Sequence, residues 1–333
     1  MKIKRFIKTT ITITTFIALS LSASLGFSKE IFVDLAPSSI YKTISDALTA
    51  ATDGDSIIIG PGIFDENITI KKNISITGAG PNYTTIKGYI YANEDMNVNL
   101  SKLLITSNYS NSHGVYLNGS SYSNIKNCVI TGFIKGIFIY AKNSDDSAYV
   151  TLINNTIVYN LEEGVYIDGT AYYGNESRLF MHGNIVAFNG SDTSSSFYQV
   201  KIVCDSISCS RLTTAHTFEY NNFYKNGTNT AYYNVQSCFT TNTNIYSDPK
   251  FIDANQGNLA LSSDSPCKDA GMLGSIYTDP DGTRNDMGAY AGEGSSSFWP
   301  YVIGGPVVTD IKITPTSVPK GGKISIQATG TVR

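Results

Sequence analysis

The sequence predicts an all-β fold, a single-stranded parallel β-solenoid that begins with a short capping helix. Three observations predict it. Short β-branched segments recur at intervals of 22 to 28 residues, which is the length of one solenoid coil. Glycine (29) and tyrosine (22) are abundant among the 333 residues, as in chains built from strands and turns. Charged residues make up only 15% and the net charge is −3, so the chain lacks the excess of basic residues that is typical of nucleic-acid-binding proteins.

The repeat aligns equivalent apolar residues. Val129, Ile157 and Ile185 follow one another at 28-residue intervals, and so do the segments 136–139 and 164–167. Successive coils stack at the inter-strand spacing of about 4.8 Å, so we predict that Val129, Ile157 and Ile185 share one internal row. The glycine-led strands are predicted to supply further inward columns, formed by Val115, Leu117, Ile137, Ile139, Val165 and Ile167.

One turn of each coil is predicted to carry an asparagine ladder. Asn127 and Asn155 fall at the same turn in this alignment, where stacked amides hydrogen-bond to each other. Gly183 takes the third position, so we expect the ladder to be short.

The N-terminal part of the chain carries two further patterns, one for a capping helix and one for export. Residues 44–51 place four apolar side chains on one helical face, which predicts a short helix over the open edge of the first coil. Residues 1–28 combine a basic start with an uncharged apolar stretch and small residues near Ser28, the pattern of an export signal. We expect cleavage after Ser28 and a secreted or cell-surface protein. The alternative is an uncleaved membrane anchor, although Thr and Ser dilute the stretch.

The repeat also resembles a known family. The segments 164–167 (Gly-Val-Tyr-Ile) and 154–157 (Asn-Asn-Thr-Ile) resemble the right-handed parallel β-helix of the pectin-lyase-like superfamily. Residues 41–48 and 54–78 are similar to the opening of pectinesterases and of many secreted β-helix proteins. The resemblance covers residues 31–292 and implies a right-handed parallel β-helix over 29–292.

The C-terminal part is predicted to close the helix and then leave it. Residues 265–271 and 279–290 resemble the end of secreted bacterial β-helix proteins, which implies a C-terminal cap. Residues 293–306, rich in Gly and Ser, are predicted to form a linker. Residues 307–333 alternate like β-strands, and we interpret them as a strand tail or as the start of a truncated immunoglobulin-like module.

Five cysteines in an exported chain indicate disulfides. Cys204 and Cys209 flank a short loop and are the first predicted pair, with Cys238–Cys267 as a second pairing hypothesis. Cys128 lies in an apolar run and is predicted to be a small buried hydrophobe.

Enzymes of this superfamily need residue patterns that are incomplete here. Pectinesterases place an Arg beside a Trp, but the single Trp299 has no nearby Arg. Polygalacturonases need an aspartate cluster and an Arg-x-Lys element, and only the His182-Gly183 pair of that pattern is present. Pectate lyases need acidic Ca²⁺ ligands on neighbouring coils and a basic proton abstractor, for which only scattered candidates exist.

Four residues remain as catalytic candidates. Glu162 and Glu163 are adjacent acids at a turn. Lys126 and His182 share one outward column of the 28-residue alignment with Asn154 between them, and a Lys–Asn–His column could host base chemistry. The alternative for all of them is a solvated polar surface.

A second pattern indicates carbohydrate contact. If the strand residues of the inward columns point inside, their neighbours point outward and form one stripe of rings and polar groups. The predicted carbohydrate-binding residues of this stripe are Tyr116, Asn118, Phe138, Tyr140, Tyr166 and Asp168. The alternative is cross-strand aromatic packing that stabilises the sheet.

No cofactor is expected, with Ca²⁺ as the alternative. Asp279, Asp281 and Asn285 place oxygen ligands around a glycine-containing turn, as hard cations prefer. The favoured interpretation is a turn in which the Asp side chains bond their own backbone.

The sequence therefore favours a non-catalytic secreted or cell-surface protein, a monomer that contacts extracellular polysaccharide or another surface along the solenoid side. The first alternative is a divergent polysaccharide lyase or glycoside hydrolase acting on acidic polysaccharide, which rests on the resemblance alone. The second is a purely structural surface stalk.

Overall fold

The computed structural model describes residues 28–93, 95–107, 112–119, 122–141, 148–168, 178–190, 197–203, 216–224, 232–233, 243–298, 306–314 and 325–332. In these ranges the chain winds through three parallel sheets in turn. The first sheet contains Glu30–Val33, Ser56–Ile59, Ile74–Thr77, Val98–Ser101, Tyr122–Lys126, Tyr149–Ile153, Arg178–His182 and Thr217–Glu219. The second contains Gly62–Phe64, Thr84–Lys87, Leu104–Thr106, Val129–Thr131, Thr156–Val158, Ile185–Ala187 and Asn222–Tyr224. The third contains Ile68–Ile70, Ile90–Ala92, His113–Asn118, Lys135–Tyr140, Val165–Asp168, Val200–Val203 and Tyr232–Tyr233.

The predicted all-β parallel β-helix is confirmed by this topology. Each strand pairs with its equivalents in the previous and next coils, so that Val115 lies in register with Ile137 and Ile137 with Val165. The predicted inward columns of the third sheet are buried in the main core. No single coil could bury this apolar surface alone, so the stack of coils is the folding unit.

A helix at Ile44–Ala50 covers the first coil, as predicted. The Thr43 hydroxyl caps it by accepting a hydrogen bond from the Asp46 N–H at 3.1 Å. Ile44, Ala47 and Leu48 are its buried residues and join the main core. No helix in the described ranges has both the length and the apolarity to span a membrane.

The predicted internal row of Val129, Ile157 and Ile185 is wrong by one residue in its middle coil. Ile157 pairs with Ile130 on one side and Val186 on the other, and these three face the main core. Val129 and Ile185 belong to a second apolar cluster on the outer face of the second sheet. The coil lengths there are 27 and 29 residues, which average to the 28 of the alignment.

This outer face is buried because the C-terminal segment lies along it. Leu259, Cys267, Met287 and Ala289 complete the second apolar cluster. The segment includes the antiparallel strands Phe251–Asp253 and Asn258–Leu261 and 3₁₀ turns at Ala254–Gln256, Ser275–Tyr277 and Glu293–Ser295.

Residues 285–298, which include the end of the predicted C-terminal cap and the start of the predicted linker, form a strap along the side of the solenoid. The Gly288 N–H donates to Gly183 O, and the Ala289 N–H donates to the Thr156 hydroxyl. Phe298 is buried against Gly80, three coils toward the N-terminus. Residues 293–298 therefore pack against the side of the solenoid. Further along, Pro306–Thr314 pairs antiparallel with Ser325–Val332.

The asparagine ladder is longer than predicted; it includes the predicted Asn155 but not Asn127. Asn155, Asn184, Asn221 and Asn244 occupy successive coils, and each Nδ2 donates to the next Oδ1 at 2.9–3.1 Å. The predicted partner Asn127 lies one residue earlier in its turn, equivalent to Asn154 and Gly183, where all three backbones are left-handed.

The cysteine predictions have different outcomes. Cys128 is fully buried, as predicted, and burial raises the pKa of its thiol to about 12. Cys267 has a buried thiol that accepts a hydrogen bond from Asn222 Nδ2, and the other member of its predicted pair, Cys238, is not among the described residues. Cys204, Cys209 and Cys238 lie outside the described residues.

Candidate functional site

The outer face of the third sheet carries a column of four aromatic rings. Tyr91, Tyr116, Phe138 and Tyr166 pair in register across four coils. Their ring centroids are separated by 5.0, 4.9 and 5.2 Å. Strand alternation places them outward because their neighbours fill the core. The structure therefore brings the predicted residues Tyr116, Phe138 and Tyr166 together and adds Tyr91.

The first three rings of this column cover one another's faces, whereas the plane of Tyr166 is inclined by 51° to that of Phe138. The planes of Tyr91 and Tyr116 are inclined by 27°, and those of Tyr116 and Phe138 by 20°. Such stacking stabilises the sheet. The column presents its ring edges and phenol hydroxyls outward. Tyr91 begins the stack, and its neighbour in the preceding coil is the short, exposed side chain of Thr69.

The polar residues of the stripe form a second column beside the rings. Asn118, Tyr140 and Asp168 pair in register on the same face. Asn118 Nδ2 donates to the Tyr91 hydroxyl at 3.3 Å, which links the two columns. Burial raises the pKa of Tyr116 to about 12, so its hydroxyl keeps its proton at neutral pH and can donate. Hydroxyls, an amide and a carboxylate thus line the rings.

A charged cluster closes the C-terminal end of the ring column. Lys135 forms ion pairs with Glu162 and, at 3.3 Å, with Glu163. Lys201 in a later coil pairs with Glu163 at 3.4 Å. The two ammonium groups lie 4.9 and 5.6 Å from the Tyr166 ring centroid, within cation–π range. Glu163 is buried between the two lysines, so these predicted catalytic acids act here as ion-pair partners.

His113 adds a neutral imidazole to this face. Its ring centroid lies 4.7 Å from that of Phe138. Burial and, secondly, the nearby Lys135 charge lower the pKa of His113 below its usual 6.5, which keeps the ring neutral at neutral pH. His113, Lys135 and Lys201 were not predicted as site residues from the sequence. His113 and Lys135 are 22 residues apart and lie in register on adjacent coils. An alignment at that spacing would have identified both as neighbours of the ring column.

Lys126 and His182 do not form the predicted column with Asn154. Ile153 lies between them on the first sheet, and Asn154 is buried, with its Nδ2 donating to Ala291 O at 3.2 Å. His182 Nδ1 lies 3.8 Å from Glu219 Oε2, and burial lowers the pKa of His182. An aliphatic side chain thus separates the two basic residues.

Asp279 and Asp281 both accept hydrogen bonds from backbone N–H groups. Asp279 accepts the N–H groups of Asp286 and Gly292 on its two oxygens, and Asp281 accepts the Thr283 N–H at 3.0 Å. Asn285 is buried beside them with no partner for its side-chain amide in the described part of the chain. Burial raises the pKa of Asp279 to about 6.

Comparisons with known proteins give a likeness of fold. No family model matches the chain, and no curated protein matches its sequence. A pectate lyase, Pel9A, is 12% identical over 80% of this chain and 97% of its own, with a TM-score of 0.39. The pectin methylesterase PemA from Erwinia chrysanthemi is 15% identical over 58% of this chain and 70% of its own, with a TM-score of 0.35. The pectin methylesterase from Aspergillus niger is 12% identical over 68% and 84%, with a TM-score of 0.37.

Proposed function

We propose that the protein is a non-catalytic secreted or cell-surface β-helix protein that binds polysaccharide along the outer face of its third sheet. The observation that carries the proposal is the column of four rings in register, flanked by Asn118, Tyr140 and Asp168. The export pattern of residues 1–28 supports an extracellular partner.

The contact would use ring edges along the column and a ring face at its start. Sugar hydroxyls would exchange hydrogen bonds with the phenols and with Asn118. The face of Tyr91 that looks toward Thr69 is the one left without a second ring, and a sugar's C–H face would stack there.

A cleft of about 400 Å³ continues this surface toward the N-terminus. Thr69, Asn67, Lys71 and Lys72 line it together with the capping helix. The Lys72 ammonium donates to backbone carbonyls at the end of that helix, whereas Lys71 is exposed. An exposed cation two residues after Thr69, the register partner of Tyr91, favours a polysaccharide that carries carboxylates.

The test is affinity electrophoresis of the purified protein through gels containing polygalacturonate, alginate or a neutral glucan. We expect retardation by an acidic polysaccharide. Tyr91→Ala should raise the dissociation constant by about 2- to 12-fold, because one aromatic stacking contact is worth about 0.5–1.5 kcal/mol. Tyr122→Ala is the matched control, since Tyr122 also begins a ring stack, with Tyr149 on the first sheet at 4.7 Å. If both variants are retarded equally and their melting temperatures are unchanged, the third sheet is not the binding surface.

A second candidate function is a polysaccharide lyase, favoured by the neutral His113 beside the ring column. A neutral imidazole can accept a proton from a sugar carbon. Incubation with the same acidic polysaccharides, with and without Ca²⁺, would give products with unsaturated ends and a rise in ultraviolet absorbance. A flat absorbance trace together with unchanged reducing ends leaves binding as the function.

A further inference from the structure

A second cleft lies on another side of the solenoid, between the outer face of the second sheet and the C-terminal segment. Its volume is about 400 Å³, within the range of small-molecule sites. The solenoid contributes Leu104, Thr106, Val129 and Thr131, and the C-terminal segment contributes Ala254, Gln256, Gly257, Leu259 and Tyr290. The third-sheet face and its charged cluster are not part of it.

The cleft combines an apolar floor with unused hydrogen-bonding groups. Leu104 and Val129 are consecutive members of one outward column, and Leu259 faces them from the C-terminal segment. Thr106 and Thr131 are consecutive members of the next column. In the described part of the chain neither threonine hydroxyl has a hydrogen-bond partner.

An orphaned amide lies at the rim of the cleft. Asn82 Oδ1 accepts a hydrogen bond from the Tyr290 hydroxyl at 2.8 Å, which ties the strap to the solenoid. Asn82 Nδ2 is buried and has no partner among the described residues. A buried donor without a partner costs about 1–3 kcal/mol, and the Asn82 side chain that carries it belongs to the lining of the cleft.

Tyr159 supplies an aromatic platform. Tyr159 and Phe188 stack at 5.2 Å with their planes inclined by only 6°. The equivalent residue of the preceding coil is Gly132, and all three residues have left-handed backbones. Because Gly132 has no side chain, the second face of the Tyr159 ring carries no neighbouring ring in this column, and Tyr159 lines the cleft.

The ligand should be uncharged, because none of the residues that line the cleft is charged. Burying an ion there without a counter-charge would cost several kcal/mol. Hydroxyl and amide groups on one side with an apolar floor and an aromatic face match the surface of a pyranose, which has hydroxyls at its edge and C–H groups on its faces. We propose that this cleft is a second carbohydrate site, which binds one or two units of a neutral sugar.

The experiment is calorimetric titration with cellobiose, maltose and lactose, using Tyr91→Ala protein as the background to remove the third-sheet contact. We expect one neutral disaccharide to bind with 1:1 stoichiometry, and digalacturonate to bind at least tenfold more weakly. The double variant Thr106→Val/Thr131→Val should weaken the neutral ligand about tenfold, because two hydrogen bonds are lost without a change of shape.

Matched variants separate this site from a general loss of structure. Thr151→Val changes a threonine on the outer face of the first sheet and should leave the affinity unchanged. Tyr159→Phe should keep the affinity, whereas Tyr159→Ala should lower it. The proposal is overturned if none of the neutral disaccharides binds, if digalacturonate binds equally well, or if the double valine variant keeps the full affinity.

Discussion

The side-chain amide of Asn155 donates to Oδ1 of Asn184 at 3.0 Å, and the same oxygen accepts the backbone N–H of Asn155 at 2.9 Å. Asn184 repeats both contacts with Asn221 in the next coil. Each ladder amide also donates to a main-chain carbonyl of its own or the preceding coil. The ladder thus satisfies buried backbone groups at a turn where the sheet hydrogen bonds are interrupted.

Replacing Asn184 with Ala should destabilise the protein by about 3 kcal/mol or more. The change leaves Asn155 N, Asn155 Nδ2 and Asn221 Oδ1 short of partners in a buried turn. Urea unfolding followed by circular dichroism would measure it. Asn99→Ala is the control, because Asn99 belongs to an exposed amide ladder, where we expect less than about 0.5 kcal/mol. Equal losses in the two variants would contradict the role assigned to burial.

Phe298→Ala should loosen the strap at its far end. The ring is 4% exposed and packs against Gly80, so the truncation should cost about 3 kcal/mol. Phe32→Ala removes a ring that is 60% exposed and should cost well under 1 kcal/mol. Limited proteolysis would show cleavage within residues 285–298 only in the Phe298 variant. Resistance of both variants would show that the strap does not depend on this anchor.

His216 should make the protein less stable as the pH falls. Burial lowers the pKa of His216 to about 4, against about 6.5 when unfolded. The unfolded state therefore binds an extra proton between these values, and the free energy of unfolding should fall by roughly 1.4 kcal/mol per pH unit below pH 6.5. His216→Asn keeps an acceptor for the Leu179 N–H and should flatten this slope. The same slope in both proteins would assign it to other groups.

Asp286 should make the protein more stable as the pH falls, over a higher pH range than His216. Burial raises its pKa to about 7, so the folded state holds a proton that the unfolded state has released. This contribution to stability is present below the unfolded pKa of 3.8 and is lost as the pH rises through about 7. The free energy of unfolding should therefore increase when the pH is lowered from 8 toward 6.5. Asp286→Asn should lose that increase, and its persistence in the variant would contradict the assignment.

The sequence was sufficient for the fold class and for the alternating strands of the third sheet. The segments 137–140 and 165–168 alternate inward and outward because one face of that sheet meets solvent. The second sheet was misaligned because Thr156–Val158 is buried at every position, with the core on one side and the C-terminal segment on the other. A strand buried on both faces has no alternation to set its register. An alignment of the asparagines at 155, 184 and 221 would have given the correct register of the second sheet.

The site was only partly accessible from the sequence for a related reason. The outward column of Tyr116, Phe138 and Tyr166 followed from alternation alone. The inclination of the rings depends on rotamers, which no spacing encodes. The strap depends on contacts such as that between Tyr290 and Asn82, which are 208 residues apart in the chain.

Hydrogen–deuterium exchange of the protein with and without the retarding acidic polysaccharide tests the central proposal most directly. We expect slower exchange in Ile90–Ala92, His113–Asn118 and Lys135–Tyr140, with unchanged exchange in the first-sheet strands Tyr122–Lys126 and Tyr149–Ile153. Protection confined to the first sheet, or no protection at saturating polysaccharide, would contradict binding along the third sheet.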